Sequence, residues 1–398
     1  MIALKVLHKK LTQACPFIHQ TRLTALVHAT SALLVGQRLS LTQLGRNLVS
    51  TARVKHNIKR MDRLLGNAHL HKERRDIYRF ICQELLKGNT QPLIIVDWSE
   101  LTTERDYHLL RASIPVGGRA LSLYEEVHPQ KDIGSPKIQR RFLQTLQHLL
   151  PETCVPVVIT DAGFRNPWFK SVIALGWDYV GRVRNRDMLK PVNTDNWEPC
   201  KTLYAKATCR ARYLGEYSVV RTNPIETHLY LVKKKAKGRH QYNRDKTRTS
   251  RGKSEKIARR QKEPWLITTS LCGDQGRAQQ IIKLYTTRMQ IEEGFRDIKS
   301  HRVGFSLSES LTRNKQRLEI LLLIGALATL NTWLLGILTE LKQWHYQYQS
   351  NTNKKRRVLS TFFIGCQIAR ESQQKLKSKD YEVALFQVRD NALAQCDV

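Results

Sequence analysis

The segment PLIIVDW, residues 92–98, is an apolar run that ends in an acid and a tryptophan, with polar residues on both sides. A short apolar run of this kind is typical of a central strand that is buried on both faces. A second such run, CVPVVITD at residues 154–161, follows the helix-like segment KIQRRFLQTLQHLL at residues 137–150. Strand, helix and strand in this order indicate an α/β fold.

The residues around these two runs extend the pattern. YHLLRASIP (107–115) and RALSLYEEV (119–127) flank the glycine-containing turn Val116–Arg119 and predict a hairpin. A helix is expected from Asn166-Pro167, because proline suits the first helical turn, and WDYVGRVR (177–184) predicts another strand. Three strands, helix, strand, helix and strand predict a mixed sheet flanked by helices.

The composition indicates a globular protein with a charged partner. The chain has 398 residues and 41% hydrophobic content, enough for two or three domains with buried cores. Its 67 Lys and Arg outnumber 34 Asp and Glu, which gives a net charge of +33. Such an excess indicates a polyanionic partner, because basic side chains set against phosphates release condensed counterions. A merely basic surface is the alternative.

The eight cysteines are scattered and form no C-x-x-C pair, so neither a disulfide framework nor a zinc knuckle is expected. Reduced thiols fit a cytoplasmic protein best. The apolar run before His8 is too short for a secretory signal.

Residues 1–88 are predicted to form a helical DNA-binding domain. Ser40 is expected to cap a short helix, LTQLGRNL, and Ser50 or Thr51 a second helix from Ala52 to about Leu65. The second helix is expected to turn apolar residues toward the core and basic ones outward. These residues are Ile58, Met61 and Leu65 on the apolar side, and Arg53, Lys55, Lys59, Arg60 and Arg63 on the basic side. This pattern favours a helix-turn-helix motif, with a helical bundle that has a solvated basic face as the alternative.

The α/β core is expected in two parts, residues 89–189 and 264–335, interrupted by a β-rich insertion at 190–263. Within the insertion, residues 233–262 hold fourteen Lys or Arg and only two acids, which predicts a mobile, solvated loop unless a polyanion orders it. After PWLITTSL, one long helix is expected from about Gly276 to Ser300.

The C-terminal part of the chain contains one segment that could be mistaken for a membrane span. Ile320–Leu338 is long and apolar, but Thr329, Asn331 and Thr332 interrupt it, so it is interpreted as a buried core helix and no membrane partner is expected. Residues 336–398 are predicted to be a C-terminal helical region, with a helix around Leu335–Trp344.

Two aspartates stand at the ends of the two most apolar strands. Asp97 lies in IIVDWSE and Asp161 in VVITDAGF. Carboxylates at strand ends of an α/β sheet lie where ligands usually bind, and two of them side by side require a cation. Hard oxygen donors without a His or Cys cluster point to magnesium. The alternative is that each aspartate caps a turn.

The predicted long helix carries a polar stripe. At 100° per residue, Tyr285, Arg288, Glu292 and Lys299 fall on one face. An aromatic ring, two cations and a carboxylate are poor core material, so this face is expected to meet an anion that also carries a metal. A solvated face with ion pairs between neighbouring turns is the alternative.

These motifs together resemble the insertion-sequence-four family of bacterial DDE transposases, and within it the tetracycline-resistance transposon group. The resemblance rests on Asp97, on Asp161 followed by Ala-Gly-Phe, and on YTTRMQIEEGFRDIK, which keeps the spacing Tyr, Arg, Glu, Lys. Phrases such as LGRNL, KHNIKRMDRLLGN and EPW also match. The resemblance implies a ribonuclease-H-like fold.

The resemblance also implies roles for single residues. Asp97, Asp161 and Glu292 correspond to a catalytic triad that holds two Mg²⁺ ions, with Mn²⁺ able to substitute. Tyr285, Arg288 and Lys299 correspond to residues that grip the phosphate next to the scissile bond. Trp265 matches a tryptophan that stacks on a flipped base in a hairpin intermediate, and Met289 matches the residue that fills the gap. Core packing is the alternative for both.

The function implied is cut-and-paste transposition, in which a bacterial, nucleoid-associated homodimer binds double-stranded DNA at terminal inverted repeats and joins it to target DNA. Two other classes remain open. A ribonuclease-H-type nuclease or resolvase would share the triad without needing paired ends. A non-catalytic DNA-binding derivative of a transposase would keep the basic surfaces and lose the carboxylates.

Overall fold

The computed structural model describes residues 2–101, 106–184, 187–235, 263–353, 355–371 and 377–396. The chain forms two compact units: unit 1 comprises Met1–Pro156 and Met289–Asp397, and unit 2 comprises Val157–Arg288. The basic loop expected at 233–262 falls almost entirely on residues 236–262, which lie outside the described residues.

The described residues form helices and strands in alternating groups along the chain. The helices are α1 (Ile2–Ala14), α2 (Gln20–Gly36), α3 (Leu41–Arg46), α4 (Val54–Leu65), α5 (Ala68–Leu86), α6 (Pro136–Leu149), α7 (Asn166–Ile173), α8 (Ala278–Thr287), α9 (Met289–Lys299), α10 (Lys315–Leu341), α11 (Thr361–Arg370) and α12 (Ser378–Leu393). The strands are β1 (Leu93–Glu100), β2 (Tyr107–Pro115), β3 (Ala120–Pro129), β4 (Val157–Thr160), β5 (Asp178–Val183), β6 (Met188–Pro191), β7 (Glu198–Pro199), β8 (Arg212–Val219), β9 (Ile225–Val232) and β10 (Trp265–Thr269).

Unit 1 contains an antiparallel sheet in the order β3-β2-β1. The predicted hairpin is confirmed: β2 and β3 meet at a turn in which the Val116 amide donates to the Arg119 carbonyl at 2.9 Å. Gly117 and Gly118 both have φ of +89°, a left-handed conformation that favours glycine. The hairpin therefore follows directly from its turn chemistry.

Helix α10 is the centre of unit 1. By length and composition alone it could cross a membrane, but 94% of its apolar window is buried inside the protein, as expected for a core helix. It packs against α2, α5, α11, α12 and β3. Two of its polar side chains bond carbonyls one turn earlier in the same helix: Asn331 Nδ2 donates to the Leu327 carbonyl at 2.8 Å, and Thr339 Oγ1 to the Leu335 carbonyl at 2.7 Å. The N-terminal helices α2 and α5 thus share one core with the rest of unit 1.

Helices α3 and α4, expected to form a helix-turn-helix or part of a helical bundle, pack closely against each other. A side-chain carbon at Gly45 of α3 would lie 2.5 Å from the Ile58 Cα of α4, so only glycine permits this approach. Met61 and Leu65 are buried and Ile58 is half-buried, whereas the five predicted basic residues of α4 are exposed. The start of α4 was predicted too early. Ser50 Oγ accepts a hydrogen bond from the Ala52 amide in a preceding turn, and the helix begins at Val54.

Unit 2 contains a mixed sheet in the order β4-β5-β10-β9-β8-β6-β7. Strands β4 and β5 are parallel and joined through α7, whereas β10 is antiparallel to both β5 and β9. The strands of the β-rich insertion therefore extend the sheet of unit 2 through the β9–β10 pairing. Each unit has the strands and flanking helices of an α/β protein.

The expectation of one long helix from Gly276 to Ser300 is wrong. The helix α8 ends at Thr287, the Arg288 amide turns back to the Tyr285 carbonyl at 3.2 Å, and α9 begins at Met289. Two successive threonines explain the break, because Thr286 Oγ1 bonds the Ile282 carbonyl and Thr287 Oγ1 the Leu284 carbonyl, both at 2.7 Å. Such side-chain bonds compete with the helical backbone.

The helix expected at Leu335–Trp344 is also wrong as a separate element. Residues up to Leu341 belong to α10, and a 3₁₀ turn follows at Trp344–Tyr348. Gln343 has a φ of +58°, which ends the helical path between the two. The remainder of the C-terminal region contains α11 and α12, so it is helical.

Candidate active site

Asp97 lies on β1 of unit 1, where the strand passes from buried to half-buried residues. The strand continues three residues beyond Asp97, so this carboxylate is held by the sheet and not by a loop. Its Oδ1 accepts a hydrogen bond from the Trp98 amide at 2.8 Å. In the register of the sheet, Asp97 is paired with Arg111 of β2.

Arg111 belongs to a buried ionic network beside Asp97. Its guanidinium contacts Glu125 Oε1 through Nε at 2.6 Å and through Nη2 at 2.5 Å, and both side chains are at most 2% exposed. Tyr78 donates to the other oxygen of Glu125 at 2.8 Å, and Ser122 Oγ donates to Oε1 at 3.2 Å. These donors satisfy both oxygens of the Glu125 carboxylate, and a buried ion pair of this kind fixes the strand register.

Helix α9 packs on this part of the sheet and carries the other predicted residues of unit 1. Glu292 stands exposed in its first turn, and Met289, its first residue, is half-buried. Gly294 allows the close approach, since a side-chain carbon there would lie 2.9 Å from the Ala120 carbonyl oxygen. Phe295, one residue further, lies under the Arg111 guanidinium at 4.8 Å from the ring centre.

Lys299 ends α9 and reaches the far end of β1. Its Nζ donates to Ser99 Oγ at 2.6 Å and to the Glu100 carbonyl, and it lies 5.5 Å from the Phe295 ring centre. Burial and the nearby Arg111 charge lower the pKa of Lys299 to about 8, although Glu100 and Asp97 oppose that shift. The structure therefore brings the predicted cation Lys299 into the electrostatic environment of the predicted ligand Asp97.

Asp161 lies in unit 2, immediately after β4, which ends at Thr160. Its Oδ1 accepts the Gly163 amide at 2.8 Å, and a side-chain carbon at Gly163 would lie only 2.9 Å from that oxygen. The turn role considered for this aspartate is therefore real. The bond from the Gly163 amide also fixes the direction of the Asp161 carboxylate. A role in this turn is therefore compatible with a role as a metal ligand.

Aromatic rings and cations gather near Asp161. The Tyr285 side chain is 3% exposed; burial raises its pKa, the Asp161 charge adds to that shift, and the Arg288 and Arg182 charges oppose it. Arg288 lies 6.0 Å from the Tyr285 ring centre. Trp265, half-buried on β10, meets Tyr285 edge-on at 5.1 Å.

Two cations that were not predicted stand at the Trp265 ring. Arg182 on β5 is 5.9 Å and Lys234 5.4 Å from the ring centre. Burial lowers the pKa of Arg182, and among the residues that the structure describes its Nε has no hydrogen-bond partner. The signal was present in WDYVGRVR, where a cation replaces an apolar residue within a strand.

The predicted residues thus fall into two groups. Unit 1 holds Asp97, Met289, Glu292 and Lys299, and unit 2 holds Asp161, Trp265, Tyr285 and Arg288. The four residues of the expected polar stripe are divided between two helices, because Tyr285 is on α8 and Glu292 on α9. Over the described part of the chain, no three His, Cys, Asp or Glu side chains cluster as a ready metal site.

Comparison with known proteins gives one family. Residues 88–329 match the transposase DDE domain, a region that includes every predicted site residue. Among solved structures, the chain is similar to the piggyBac transposase in a cryo-EM synaptic complex with hairpin DNA, at 11% identity and a TM-score of 0.43, over 96% of this chain and 73% of that one. No curated protein matches.

Proposed function

The chain belongs to the family of transposase DDE domains, which confirms the expected ribonuclease-H-like α/β fold, and on this basis we propose that it catalyses cut-and-paste transposition. We place it in the insertion-sequence-four group, close to the transposase of the tetracycline-resistance transposon group. The motif from Tyr285 to Lys299 supports that placement, since its spacing matches the group throughout.

We propose that Asp97, Asp161 and Glu292 hold two Mg²⁺ ions, with Mn²⁺ able to substitute. The donor set fits, because all three are carboxylates and hard divalent cations prefer oxygen ligands. Asp97 lies within β1, Glu292 in the first turn of α9 and Asp161 immediately after β4, so none of them is in a long loop. When bound, the ions would lower the pKa of the attacking hydroxyl or water and stabilise the leaving oxygen. In this proposal the carboxylates of both units converge in the DNA-engaged protein.

The cations and tyrosine have a separate task. Lys299, held by Ser99 and the Glu100 carbonyl, would present its ammonium to a phosphate beside Asp97. Arg288, stacked near Tyr285, would present its guanidinium to a phosphate beside Asp161. These groups bind and orient the strand so that the scissile phosphorus lies in line with its nucleophile.

We also propose a hairpin intermediate. Cutting both strands with one site requires the freed 3′-hydroxyl to attack the opposite strand, which bends the DNA sharply and unstacks a base. Trp265 offers a half-buried aromatic face for that base, and Met289 would fill the gap left in the duplex. Base stacking on an aromatic ring offsets part of the unstacking cost.

The proposed partners are terminal inverted repeats, target DNA and a second copy of the chain, since two ends must be cut in one assembly. The net charge of +33 supports a DNA partner. We place the protein in the bacterial cytoplasm with the nucleoid, a compartment in which its eight scattered cysteines would stay reduced.

One observation carries the proposal. Each aspartate has, within its own unit, cations and aromatic side chains suited to a DNA strand: Lys299 near Asp97, and Tyr285 with Arg288 near Asp161. Turn-capping aspartates would not need such surroundings.

The proposal is tested with Asp97→Asn, Asp161→Asn and Glu292→Gln, which keep the side-chain shape and remove the charge. Each should lower Mg²⁺-dependent nicking of an end duplex by at least about a thousandfold while end binding stays within about threefold. Nicking is followed on denaturing gels and binding by fluorescence anisotropy.

The matched control is Glu293→Gln, one residue from Glu292 on the same helix. Glu293 lies 2.5 Å from Arg296 and has the surroundings of a surface ion pair, so its loss should change nicking less than about threefold. Retained nicking in any of the three carboxylate variants would remove that residue from the triad.

A further inference from the structure

A basic surface on unit 1 lies outside the residues assigned above. Its members come from three packed helices, and we call it the α6 surface: Arg75 on α5, Lys137, Arg140 and Arg141 on α6, and Lys315 on α10. Four of the five are exposed and Lys315 is half-buried. They line two surface depressions that share Arg141, one formed with Gln144 and the other with His71 and Gln316.

The acids nearest this surface are already paired, and one of them, Glu126, lies 3.8 Å from Arg141 of the surface itself. Glu126 accepts from Tyr124 at 2.7 Å and contacts His128 at 2.8 Å, and these contacts hold its pKa at about 2 despite burial. Glu319 is paired with Arg74 at 3.1 Å. Among the described residues, Arg75, Lys137 and Arg140 take part in no ion pair. The positive charges of these three residues are therefore not cancelled by an ion pair within the described protein.

The basic and polar residues of α6 form a row along one face of the helix. Residues 137, 140, 141 and 144 share one face of the helix, opposite Phe142, Leu143 and Leu146, which are buried. From Lys137 to Gln144 the helix rises about 10.5 Å, which corresponds to about three steps of a duplex. A row of cations over this length fits the phosphates along one strand.

The chemistry of the α6 surface favours a DNA backbone over a protein partner. It presents Lys, Arg and Gln side chains and no large apolar residue, whereas protein interfaces place aromatic or aliphatic anchors at their centre. It should hold a duplex without regard to sequence.

Resting on the proposed function, we infer that the α6 surface binds the backbone of target DNA during strand transfer. Transposition needs two duplexes. The transposon end is bound by its sequence, whereas the target duplex is bound with little dependence on sequence. The exposed basic face of α4, on its helix-turn-helix, is suited to the end. The α6 surface is a second, separate set of cations available to the target.

The test uses the full chain with Arg75→Gln, Lys137→Gln and Arg140→Gln combined. The matched control, Lys5→Gln, Lys9→Gln and Lys87→Gln, removes three exposed charges from elsewhere on unit 1. Three readouts are compared: cleavage of an end duplex, joining of a precut end to plasmid DNA, and binding of a duplex without terminal repeats as a function of salt.

In the triple α6 variant, joining should fall at least about tenfold and the salt slope of non-repeat binding should become shallower by about 3, one for each lost phosphate contact. End cleavage should match the control. Joining and salt slope equal to the control would show a merely solvated face, and an equal loss of end cleavage would assign the surface to the transposon end. Absence of end cleavage in the unaltered protein would instead contradict the proposed function. The salt slope would still show whether the α6 surface binds a DNA backbone.

Discussion

The surroundings of Asp97 and Asp161 differ in kind. Near Asp97, unit 1 has a buried, paired network in which Arg111, Glu125 and Tyr78 satisfy one another. Near Asp161, unit 2 has aromatic rings and cations that stack, with Tyr285 and Trp265 in edge contact and Arg182 near the indole. In the network near Asp97, the charge of Arg111 is balanced by Glu125. Near Asp161, the cation Arg182 lies over the face of an aromatic ring.

The difference indicates two tasks. A paired ionic network fixes a carboxylate in position but has little charge to offer a ligand. Stacked aromatic and guanidinium groups offer faces and charge to bases and phosphates. Under the proposed function, the Arg111 network near Asp97 serves to hold the strand, while Lys299 in that unit and the cations near Asp161 contact DNA.

The largest contrast should appear in folding stability. Arg111→Met leaves Glu125 buried without its counter-charge and should cost about 3–5 kcal/mol in the free energy of unfolding. Arg182→Met removes a cation whose pKa burial already lowers, and should cost less than about 1 kcal/mol. Urea denaturation measures both. Equal costs would erase the distinction between the two regions.

Base stacking gives the next effect. Trp265→Ala should lose about 1–3 kcal/mol of stabilisation of the hairpin step, and Trp265→Phe much less. The control is Trp197→Ala, another half-buried tryptophan of unit 2 with a cation, Lys190, 5.9 Å from its ring centre. Single-turnover hairpin formation and the fluorescence of 2-aminopurine at the flipped position report the result. Identical losses in both alanine variants would show a general packing effect.

The smallest effect concerns pH. With a pKa of about 8, Lys299 is charged at pH 7 and mostly neutral at pH 9, so its grip on a phosphate should weaken by up to about tenfold over that range. Folding stability changes in the opposite sense: the buried ammonium disfavours the folded state below about pH 8, and that cost is relieved as pH rises toward 10.5. End binding of Lys299→Arg, which stays charged, should be flat from pH 7 to 9. A parallel decline in both proteins would contradict the assignment.

The sequence predicted what depends on local pattern. The apolar run before Asp161 and the glycine turn of the β2–β3 hairpin have the structure expected from their residue order. The run before Asp97 is also a strand, but this strand continues three residues beyond Asp97, where the sequence had predicted its end. The core interpretation of α10 also held: 94% of its apolar window is buried inside the protein, and Asn331 bonds within the helix.

The sequence could not predict features that depend on competition between distant contacts. The break at Arg288 follows from two threonine hydroxyls that compete with the backbone for helical carbonyls. The periodicity of the sequence contains no sign of this competition, and it predicted an unbroken helix. The sequence did not predict roles for Arg111 and Arg182, because the role of a cation inside a strand depends on the residue that it contacts. Arg111 contacts Glu125, and Arg182 lies near Trp265. The roles of the site residues came from family resemblance and stay predictions.

The central claim is that Asp97, Asp161 and Glu292 hold divalent metal together. Replacing each in turn by cysteine supplies a soft ligand that Mg²⁺ binds poorly and Mn²⁺ binds better. We expect end nicking in each variant to be lost in Mg²⁺ and partly restored in Mn²⁺, while Glu293→Cys nicks in both. Two results for Asp161→Cys would contradict the account. One is nicking that is as strong in Mg²⁺ as in Mn²⁺, and the other is no nicking in either metal while Mn²⁺ restores the other two cysteine variants.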